Sequence, residues 1–446
     1  MPAIVRYADI PAFANNIAPI HAPGYGPINI TCPTDTVWLR KADSLGTDEQ
    51  AYVDKRAHQL ATAWTAQTHR VGLTSPPPRT PVVAMALSGG GYRAMLSGSG
   101  MAFDPPSADK DDVGDILGLS TYVSGLSGGS WALGSFYANN GTSPQDLVEN
   151  VWHLDDNLVA GWSMAEFYKN IRDATKEKEE AGFATQITDL WSLALTDHLF
   201  PEHWRVDKGH ANLAWNDLKD NITQLQEATL PYPIVVALER EADQPKNGMM
   251  ATNSTIFEFT LSEFGSSQPG GFTPLKYLGT RLENGQPKNN DECVVGFDNA
   301  GFVVGTSASL FNMALVEVSN FKANSLLETL KNLGKLVLNG VGKHNDDVAT
   351  YLNPFYGWDT GDDPISSMEN ITLVDGGETG ENVPLEPFLQ PARQVDAIIA
   401  FDNSDNVNGW PSGKSLYLTY EKALNHSKMY NTPSLMPQVP SPAGFD

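Results

Sequence analysis

A serine lies in a glycine-rich turn that could expose its hydroxyl as a nucleophile. The turn, GLSGG at residues 125–129, places Ser127 in the G-x-S-x-G pattern. The β-branched and aromatic run LSTYVS enters the turn, and SWALGSFYAN, which can form a helix, leaves it. A strand, turn and helix of this kind hold a serine Oγ at the edge of a sheet, and small flanking residues let strand and helix pass closely. Ser127 is therefore the predicted nucleophile, with an ordinary glycine and serine loop as the alternative.

A serine hydroxyl attacks when a base accepts its proton, and the sequence offers an aspartate in a suitable position. Asp375 stands in the sharp turn VDGG, directly after the strand-like run ITLV, at the predicted carboxyl edge of a sheet. The nine histidines include none in a convincing loop after a strand and a matching acid, although His344 and His426 follow Ser127 in chain order. We favour Asp375 as the base, and a triad with a histidine is the alternative.

A second glycine-rich turn, SGGGYR at residues 88–93, precedes another helical run and could bind negative charge. Consecutive glycines leave backbone N–H groups unobstructed, so the turn suits an oxyanion hole. Arg93 begins the helix and can hold a phosphate by paired hydrogen bonds, with more geometric definition than a lysine. The alternatives are a nucleotide phosphate loop or a close-packed turn, but the Walker A motif and the dinucleotide fingerprint are absent from the sequence.

Alternating strand-like and helical runs must position these groups. VVAMAL and LSTYVS each lead into a glycine turn and a helical run, which predicts a buried parallel sheet with helices on its faces. Strand-like runs resume at PIVVALE, STIFEFTL, CVVGFD, ITLVD and VDAIIAFD. An N-terminal segment, 1–73, is predicted to pack on the domain and contains a helix with Thr47 as its candidate cap. A proline-rich connector, 74–81, follows this segment. Residues 145–230 are predicted to form a helical cap or lid. We expect one large α/β domain over residues 1–446.

Composition and charge exclude several functions. Of the 446 residues, 41% are hydrophobic and 18% are charged, which is enough for a large core. The formal net charge of -24 argues against nucleic acid and anionic bilayers as partners. No apolar run approaches the roughly 18 to 20 residues of a transmembrane segment, and the start, MPAIVRYADIPAFANN, has no recognisable signal peptide. The sequence contains no EF-hand or zinc motif, so we expect neither a metal nor another cofactor.

The cysteines and the glycosylation sequons bear on where the protein works. Cys32 and Cys293 can form at most one disulfide, and two buried thiols are an equal alternative. Six N-x-S/T sequons occur, which is a mild indication of secretion. The sequons begin at Asn29, Asn140, Asn221, Asn253, Asn370 and Asn425.

Three motifs, in order along the chain, carry a resemblance to a known family. SGGGYRAML, YVSGLSGGSW and LVDGGETGENVPLEPF together resemble the fungal lysophospholipase and phospholipase B family, which shares its patatin-like catalytic domain with cytosolic phospholipase A2. Further similar segments are ITCPTDTVWLRKADSL, GFDNAGFVVGTSASLFN, NPFYGW, VDAIIAFDNS and GWPSGKSLYLTYEKA, so the similarity covers almost the whole chain. The family's chains normally continue beyond the proline-rich end at residue 446, so a truncated or a compact member is expected.

This resemblance implies a fold, a site and a substrate. The fold is a three-layer α/β/α arrangement around a mixed, largely parallel sheet, and the site is a Ser-Asp dyad without histidine. The implied roles are nucleophile for Ser127, base for Asp375, oxyanion donors for Gly90 and Gly91, and phosphate binding for Arg93; Gly128, which follows the nucleophile, is a further oxyanion donor. The implied substrate is a phospholipid or lysophospholipid at a micelle or membrane surface. The implied location is outside the cell or on its surface, with the cytoplasm as the alternative.

Two expectations follow for chemistry, and each has an alternative. An exposed aspartate is too weak a base, so we expect Asp375 to be desolvated with a raised pKa. A conventional α/β-hydrolase esterase would instead pair Ser127 with His344 or His426 and a different acid. A non-catalytic lipid-binding protein that keeps the fold is the alternative from another class.

Overall fold

A mixed β-sheet of ten strands forms the centre of the fold. The computed structural model describes residues 24–442, apart from 76, 105–115, 155–163, 206–212, 241–253, 269, 310–347, 359–363, 405–407, 431–433 and 435. The strands are β1 (Ile28–Ile30), β2 (Arg40–Lys41), β3 (Val83–Leu87), β4 (Tyr122–Gly125), β5 (Tyr232–Glu239), β6 (Ile256–Phe259), β7 (Glu263–Ser266), β8 (Gly271–Pro274), β9 (Leu282–Glu283), β10 (Gln286–Pro287), β11 (Cys293–Val295), β12 (Ala349–Leu352), β13 (Asn370–Asp375) and β14 (Ala397–Phe401). The α-helices are α1 (Thr47–Arg70), α2 (Gly91–Phe103), α3 (Ile116–Leu119), α4 (Gly128–Ala138), α5 (Pro144–Asn150), α6 (Met164–Glu180), α7 (Ile187–Leu199), α8 (Leu218–Asn221), α9 (Thr223–Gln226), α10 (Ala300–Ser307) and α11 (Lys414–Tyr430).

Four neighbouring strands form the parallel part of the sheet. The strand order is β14-β3-β4-β5-β6-β7-β8-β2, and the pairs β14-β3, β3-β4 and β4-β5 are parallel. Every residue of β3, β4 and β5 is buried, because helices and connecting segments cover both faces of these strands. Their sequences are apolar or small almost throughout, as expected for strands that are buried on both faces.

The rest of the sheet is antiparallel. A mixed sheet with helices on both sides agrees with the sequence-based prediction, but the parallel part is smaller than we predicted. Of the nine strand pairings described in this sheet, three are parallel. Strands β6, β7 and β8 follow one another through short turns, and a short turn can join antiparallel neighbours but cannot make a parallel crossover.

Helices pack on both faces of the sheet. On one face, α2, α4, α7 and α10 contact one another, and the rings of Phe103 and Phe136 stack at 4.2 Å between α2 and α4. On the other face, α1 packs on β5, where the rings of Tyr52 and Tyr232 lie 5.0 Å apart. The core therefore consists of two apolar layers, one on each side of the buried strands.

Within the predicted N-terminal segment, 1–73, the structure describes residues 24–73, which contain β1, β2 and α1. Helix α1 begins at Thr47, but Gly46 is its N-cap residue, so the predicted cap at Thr47 is one residue too late. Strand β2 pairs with β8, and β1 pairs with β11, where Cys32 and Cys293 are joined by a disulfide.

The predicted cap region contains helices, but one of them belongs to the core. Helices α5 to α9 lie in this stretch, and residues 155–163 and 206–212 of it lie outside the described residues. Almost every residue of α7 is buried, and the helix packs against α4 and α10. No helix among the described residues combines the length and the apolar character that crossing a membrane requires.

Candidate active site

Ser127 occupies a strained turn between β4 and α4. Its backbone has φ 51° and ψ -124°, an unfavourable conformation for a residue with a side chain. The N–H of Ser127 donates to the carbonyl oxygen of Ser307 at 3.0 Å, and its own carbonyl oxygen accepts from the Trp131 N–H at 3.1 Å and the Ser130 hydroxyl at 2.7 Å. Fixing the peptide groups on both sides of the residue maintains the strain, as the G-x-S-x-G pattern predicts.

The glycines around this turn are required by close backbone packing. A Cβ on Gly128 would collide with the carbonyl oxygen of Gly91, and a Cβ on Gly129 would collide with that of Leu87 at the end of β3. A Cβ on Gly125 would lie 2.7 Å from the carbonyl oxygen of Gly129. The prediction that small residues let the strand and the helix pass closely is therefore confirmed.

Two strands meet end to end along one edge of β5 and bring Ser127 and Asp375 together. Strand β4 runs parallel to β5 and ends where Gly125 pairs with Val235. Strand β13 runs antiparallel to β5 and ends where Asp375 pairs with Ala237. Strand β6 occupies the other edge of β5, so β4 and β13 approach each other from opposite directions along the same edge. Asp375 thus reaches the carboxyl end of β4 from a strand that runs the opposite way.

Asp375 is enclosed by protein, with 1% of its surface exposed. Its Oδ1 accepts a hydrogen bond of 2.8 Å from the Gly377 N–H, and its Oδ2 has no hydrogen-bond partner among the described residues. Burial raises the pKa of Asp375 to about 7, while the Gly377 N–H and the Ser127 hydroxyl act in the opposite direction. The Ser127 hydroxyl is thus one of the groups that act on this carboxylate. The desolvation and the raised pKa agree with our expectation for a base.

The second glycine turn lies directly against the serine turn. Gly90 has φ 139° and Gly91 has φ 60°, and both conformations favour glycine. A Cβ on Gly128 would lie 2.8 Å from the backbone nitrogen of Gly91, so the first residues of α2 and α4 are in contact. Within the described part of the chain, the N–H groups of Gly90, Gly91 and Gly128 donate no hydrogen bond, because first-turn amides have no carbonyl four residues earlier in their helix. These donors are available for a negative oxygen beside Ser127.

Arg93 is exposed on the first turn of α2. Its Nε and Nη2 donate to the carbonyl oxygen of Asn403 at 3.0 Å and 2.8 Å. A Cβ on Gly90 would lie 2.9 Å from Nη2, so the guanidinium group sits against the glycine turn. The arrangement places an exposed, oriented positive charge next to the candidate oxyanion donors, where it could bind a phosphate.

Histidines do not take part in this site within the described residues. None of the histidines that the structure describes forms a hydrogen bond to Ser127 or contributes to the pKa of Asp375. His426 lies on an exposed position of α11, and His344 lies outside the described residues. In the described ranges, no group of three or more His, Cys, Asp or Glu residues could hold a metal ion.

The sequence analysis missed residues that hold the two turns in place. The side chain of Asn382 donates to the carbonyl oxygen of Gly89 at 3.0 Å and to the Ser404 hydroxyl at 2.7 Å. Ser307 contacts the turns of both Ser127 and Asp375. Asn382 and Ser307 lie within segments that carry the family resemblance, but a single asparagine or serine has no local pattern that reveals a distant partner.

Comparisons with known proteins show the family and the fold of this chain. Residues 83–446 match the family described as lysophospholipase catalytic domain. A phospholipase B from Cryptococcus neoformans is 43% identical over 94% of this chain and 67% of its own length. Lysophospholipase 3 from Aspergillus fumigatus is 37% identical over 94% of this chain and 70% of its own length. The structure of human GIVD cytosolic phospholipase A2 has the same fold, with a TM-score of 0.69 at 17% identity over 93% of this chain; this chain spans 58% of that structure.

Proposed function

Because the chain belongs to the family of lysophospholipase catalytic domains, we propose that it hydrolyses the fatty-acyl esters of lysoglycerophospholipids and glycerophospholipids. The observation that carries the proposal is the junction on β5, where the turns of the strained Ser127 and the buried Asp375 meet beside glycine N–H groups that donate no hydrogen bond among the described residues. A nucleophile, a base with a pKa near neutrality and oxyanion donors are the groups that acyl transfer requires.

In the first half of the reaction, Ser127 Oγ attacks the ester carbonyl carbon and transfers its proton to Asp375. The tetrahedral oxyanion receives hydrogen bonds from the N–H groups of Gly90, Gly91 and Gly128. When the intermediate collapses, the ester bond breaks, and the departing glycerol oxygen takes the proton from Asp375. The fatty acyl group remains bound to Ser127 as an ester.

In the second half, a water molecule attacks the acyl-enzyme while Asp375 accepts one of its protons. The same three N–H groups stabilise the second oxyanion. Collapse breaks the ester bond to Ser127, whose oxygen recovers the proton from Asp375, and the free fatty acid leaves. A single carboxylate can serve both halves because a pKa of about 7 lets it take up and return a proton near neutral pH.

Arg93 binds the head-group phosphate in this proposal. Its guanidinium group is exposed, is oriented by the Asn403 carbonyl and lies beside the oxyanion donors. A phosphate bound there would place the acyl ester of the same lipid close to Ser127. The substrate would be presented at the surface of a micelle or membrane.

A secreted or cell-surface glycoprotein fits the remaining observations. The Cys32–Cys293 disulfide is compatible with an oxidising compartment. Of the sequon asparagines that the structure describes, Asn29, Asn370 and Asn425 are exposed and could accept a glycan.

The test is fatty-acid release from lysophosphatidylcholine in EDTA, comparing the parent protein with Ser127→Ala. We expect release by the parent and none by the variant, whose folding is checked by circular dichroism. His344→Ala and His426→Ala are the matched controls, and both are expected to retain activity. Loss of turnover in a folded histidine variant would favour a histidine triad, and lipid binding without turnover by the folded parent would favour a non-catalytic protein.

A further inference from the structure

Ser307 connects the two turns that carry the proposed nucleophile and base. It is the last residue of α10 and is fully buried. Its carbonyl oxygen accepts one hydrogen bond from the Ser127 N–H at 3.0 Å and another from the Gly376 N–H at 3.3 Å. The nucleophile and the residue directly after Asp375 are therefore held by the same oxygen atom.

The Ser307 hydroxyl links the end of α10 to strand β5. Its Oγ donates to the carbonyl oxygen of Val236 at 2.6 Å. The same Oγ accepts a second hydrogen bond from the Ser127 N–H, at 3.2 Å. Val236 lies on β5 between Val235, the last residue paired with β4, and Ala237, the first residue paired with β13. The Ser307 hydroxyl thus satisfies a buried carbonyl at the point where one strand partner has ended and the next has begun.

We propose that Ser307 is a positioning residue that sets the spacing between the Ser127 hydroxyl and the Asp375 carboxylate. This inference rests on the proposed function, because it concerns the same dyad. The strained backbone of Ser127 persists when the groups around it fix its position, and Ser307 supplies both acceptors of its N–H. Without the hydroxyl, the carbonyl of Val236 loses its donor, and the end of α10 is free to move away from the two turns.

The experiment compares Ser307→Ala with Ser309→Ala, a matched control on the same chain segment. Both variants remove one buried serine hydroxyl. The Ser309 hydroxyl donates to the carbonyl oxygen of Thr306 at 2.9 Å and, among the described residues, forms no hydrogen bond to either turn. A general loss of stability affects both variants, whereas a change in the distance between the Ser127 hydroxyl and the Asp375 carboxylate affects Ser307→Ala alone.

We expect kcat on lysophosphatidylcholine to fall about 10- to 100-fold in Ser307→Ala, since a small misplacement of reacting groups costs about that much. The Ser309→Ala variant should stay within about threefold of the parent. The acid limb of kcat should also move to higher pH in Ser307→Ala, because the Ser127 hydroxyl lowers the pKa of Asp375 and its contact would loosen. Burial, the Gly377 N–H and the Ser127 hydroxyl are the influences on this pKa, and no charged side chain among the described residues contributes. Equal kcat and an equal acid limb in the two variants would overturn the proposal.

A second measurement separates this proposal from the proposed function. The rate at which an alkyl fluorophosphonate labels Ser127, followed by intact mass, reports nucleophilicity without lipid turnover. If the parent is labelled but releases no fatty acid, the proposed substrate fails, and slower labelling of Ser307→Ala than of Ser309→Ala still supports the positioning role. If the folded parent is not labelled, both proposals fail.

Should Ser307→Ala not fold, Ser307→Cys is measured in its place. The thiol has a similar size and is a weaker donor, so kcat and the labelling rate should fall below those of Ser309→Ala. Values equal to those of the control would overturn the proposal.

Discussion

Two buried carboxylate sites in this molecule are built in opposite ways. Arg393 donates to Glu49 on α1 at 2.8 Å and to Glu258 on β6 at 2.7 Å, and all three side chains are buried. Burial raises the pKa of Glu258, and the Arg393 charge acts against that rise. Asp375 is buried as deeply, yet no charged side chain among the described residues affects its pKa.

The difference shows how one core can contain carboxylates for structure and for chemistry. A buried carboxylate with a cation at hydrogen-bonding distance links the elements that carry the two charges, here α1, β6 and the segment around Arg393. A carboxylate that must take up and return protons near neutral pH requires a raised pKa, and a neighbouring cation would lower it. Among the described residues Asp375 has no counter-charge, which is consistent with a base. Four predictions test this contrast.

The largest expected effect is that of Asp375→Asn on turnover. The amide cannot accept a proton from Ser127, so kcat should fall by about 10⁴-fold while the circular dichroism spectrum stays that of the parent. The matched control is Asp298→Asn, because burial also raises the pKa of Asp298 to about 7 and its Oδ2 accepts from the backbone N–H of Asn216. Asp298→Asn should keep kcat within about threefold. A comparable loss of kcat in both variants would show that the environment of Asp375 is not specific to a catalytic base.

A substitution at the site of Arg393, Glu49 and Glu258 should lower the stability of the protein and leave turnover unchanged. Glu258→Gln leaves Arg393 with one carboxylate, so the free energy of unfolding in urea should fall by about 3 kcal/mol. The kcat of the folded fraction should not change, since Glu258 does not contact the dyad. Glu180→Gln removes an exposed ion pair with Lys176 and should leave the unfolding midpoint unchanged. An unaltered midpoint in Glu258→Gln would contradict the structural role.

The two arginines extend the same contrast. Arg393 is buried between carboxylates, whereas Arg93 is exposed and held by the Asn403 carbonyl. Arg93→Ala should raise KM for lysophosphatidylcholine by about 10- to 100-fold, and Arg93→Lys should recover part of the loss because it keeps the charge without the paired geometry. KM for a phosphate-free ester such as p-nitrophenyl butyrate is the control and should not change. Equal effects on both substrates would argue against phosphate binding.

The last prediction changes no residue and concerns the pH dependence of the parent enzyme. Asp375 acts as a base in its charged form, and burial raises its pKa to about 7. Below that pH the carboxyl group is protonated, so kcat/KM should fall about tenfold per pH unit as the pH decreases from 7 to 5. Initial rates over this range measure it, after preincubation at each pH to exclude unfolding. An acid limb near pH 4, the ordinary range of an aspartate, would show that Asp375 is not tuned by its burial.

Local patterns account for the parts of the site that could be predicted. GLSGG, SGGGYR and VDGG are short turns whose conformations depend on adjacent glycines, and the runs before them are rich in apolar, β-branched and aromatic residues. For that reason the positions of Ser127, Arg93 and Asp375 at the ends of elements could be predicted from neighbouring residues. The antiparallel half of the sheet and the burial of α7 were not predicted, because they depend on which distant strands and helices become neighbours.

The sequence by itself determined which residues stand in turns that can carry chemistry. Backbone conformation at a glycine or before a helix is a short-range property, so it is encoded within a few residues. The tertiary structure decided that the ends of β4 and β13 are separated on β5 by one residue, Val236, and that Ser307 joins their turns. It also decided that Asp375 is buried with no cation beside it among the described residues. These properties determine the spacing of the dyad and the pKa of its base. They arise from the packing of segments far apart in the chain, and no single segment of the sequence contains them.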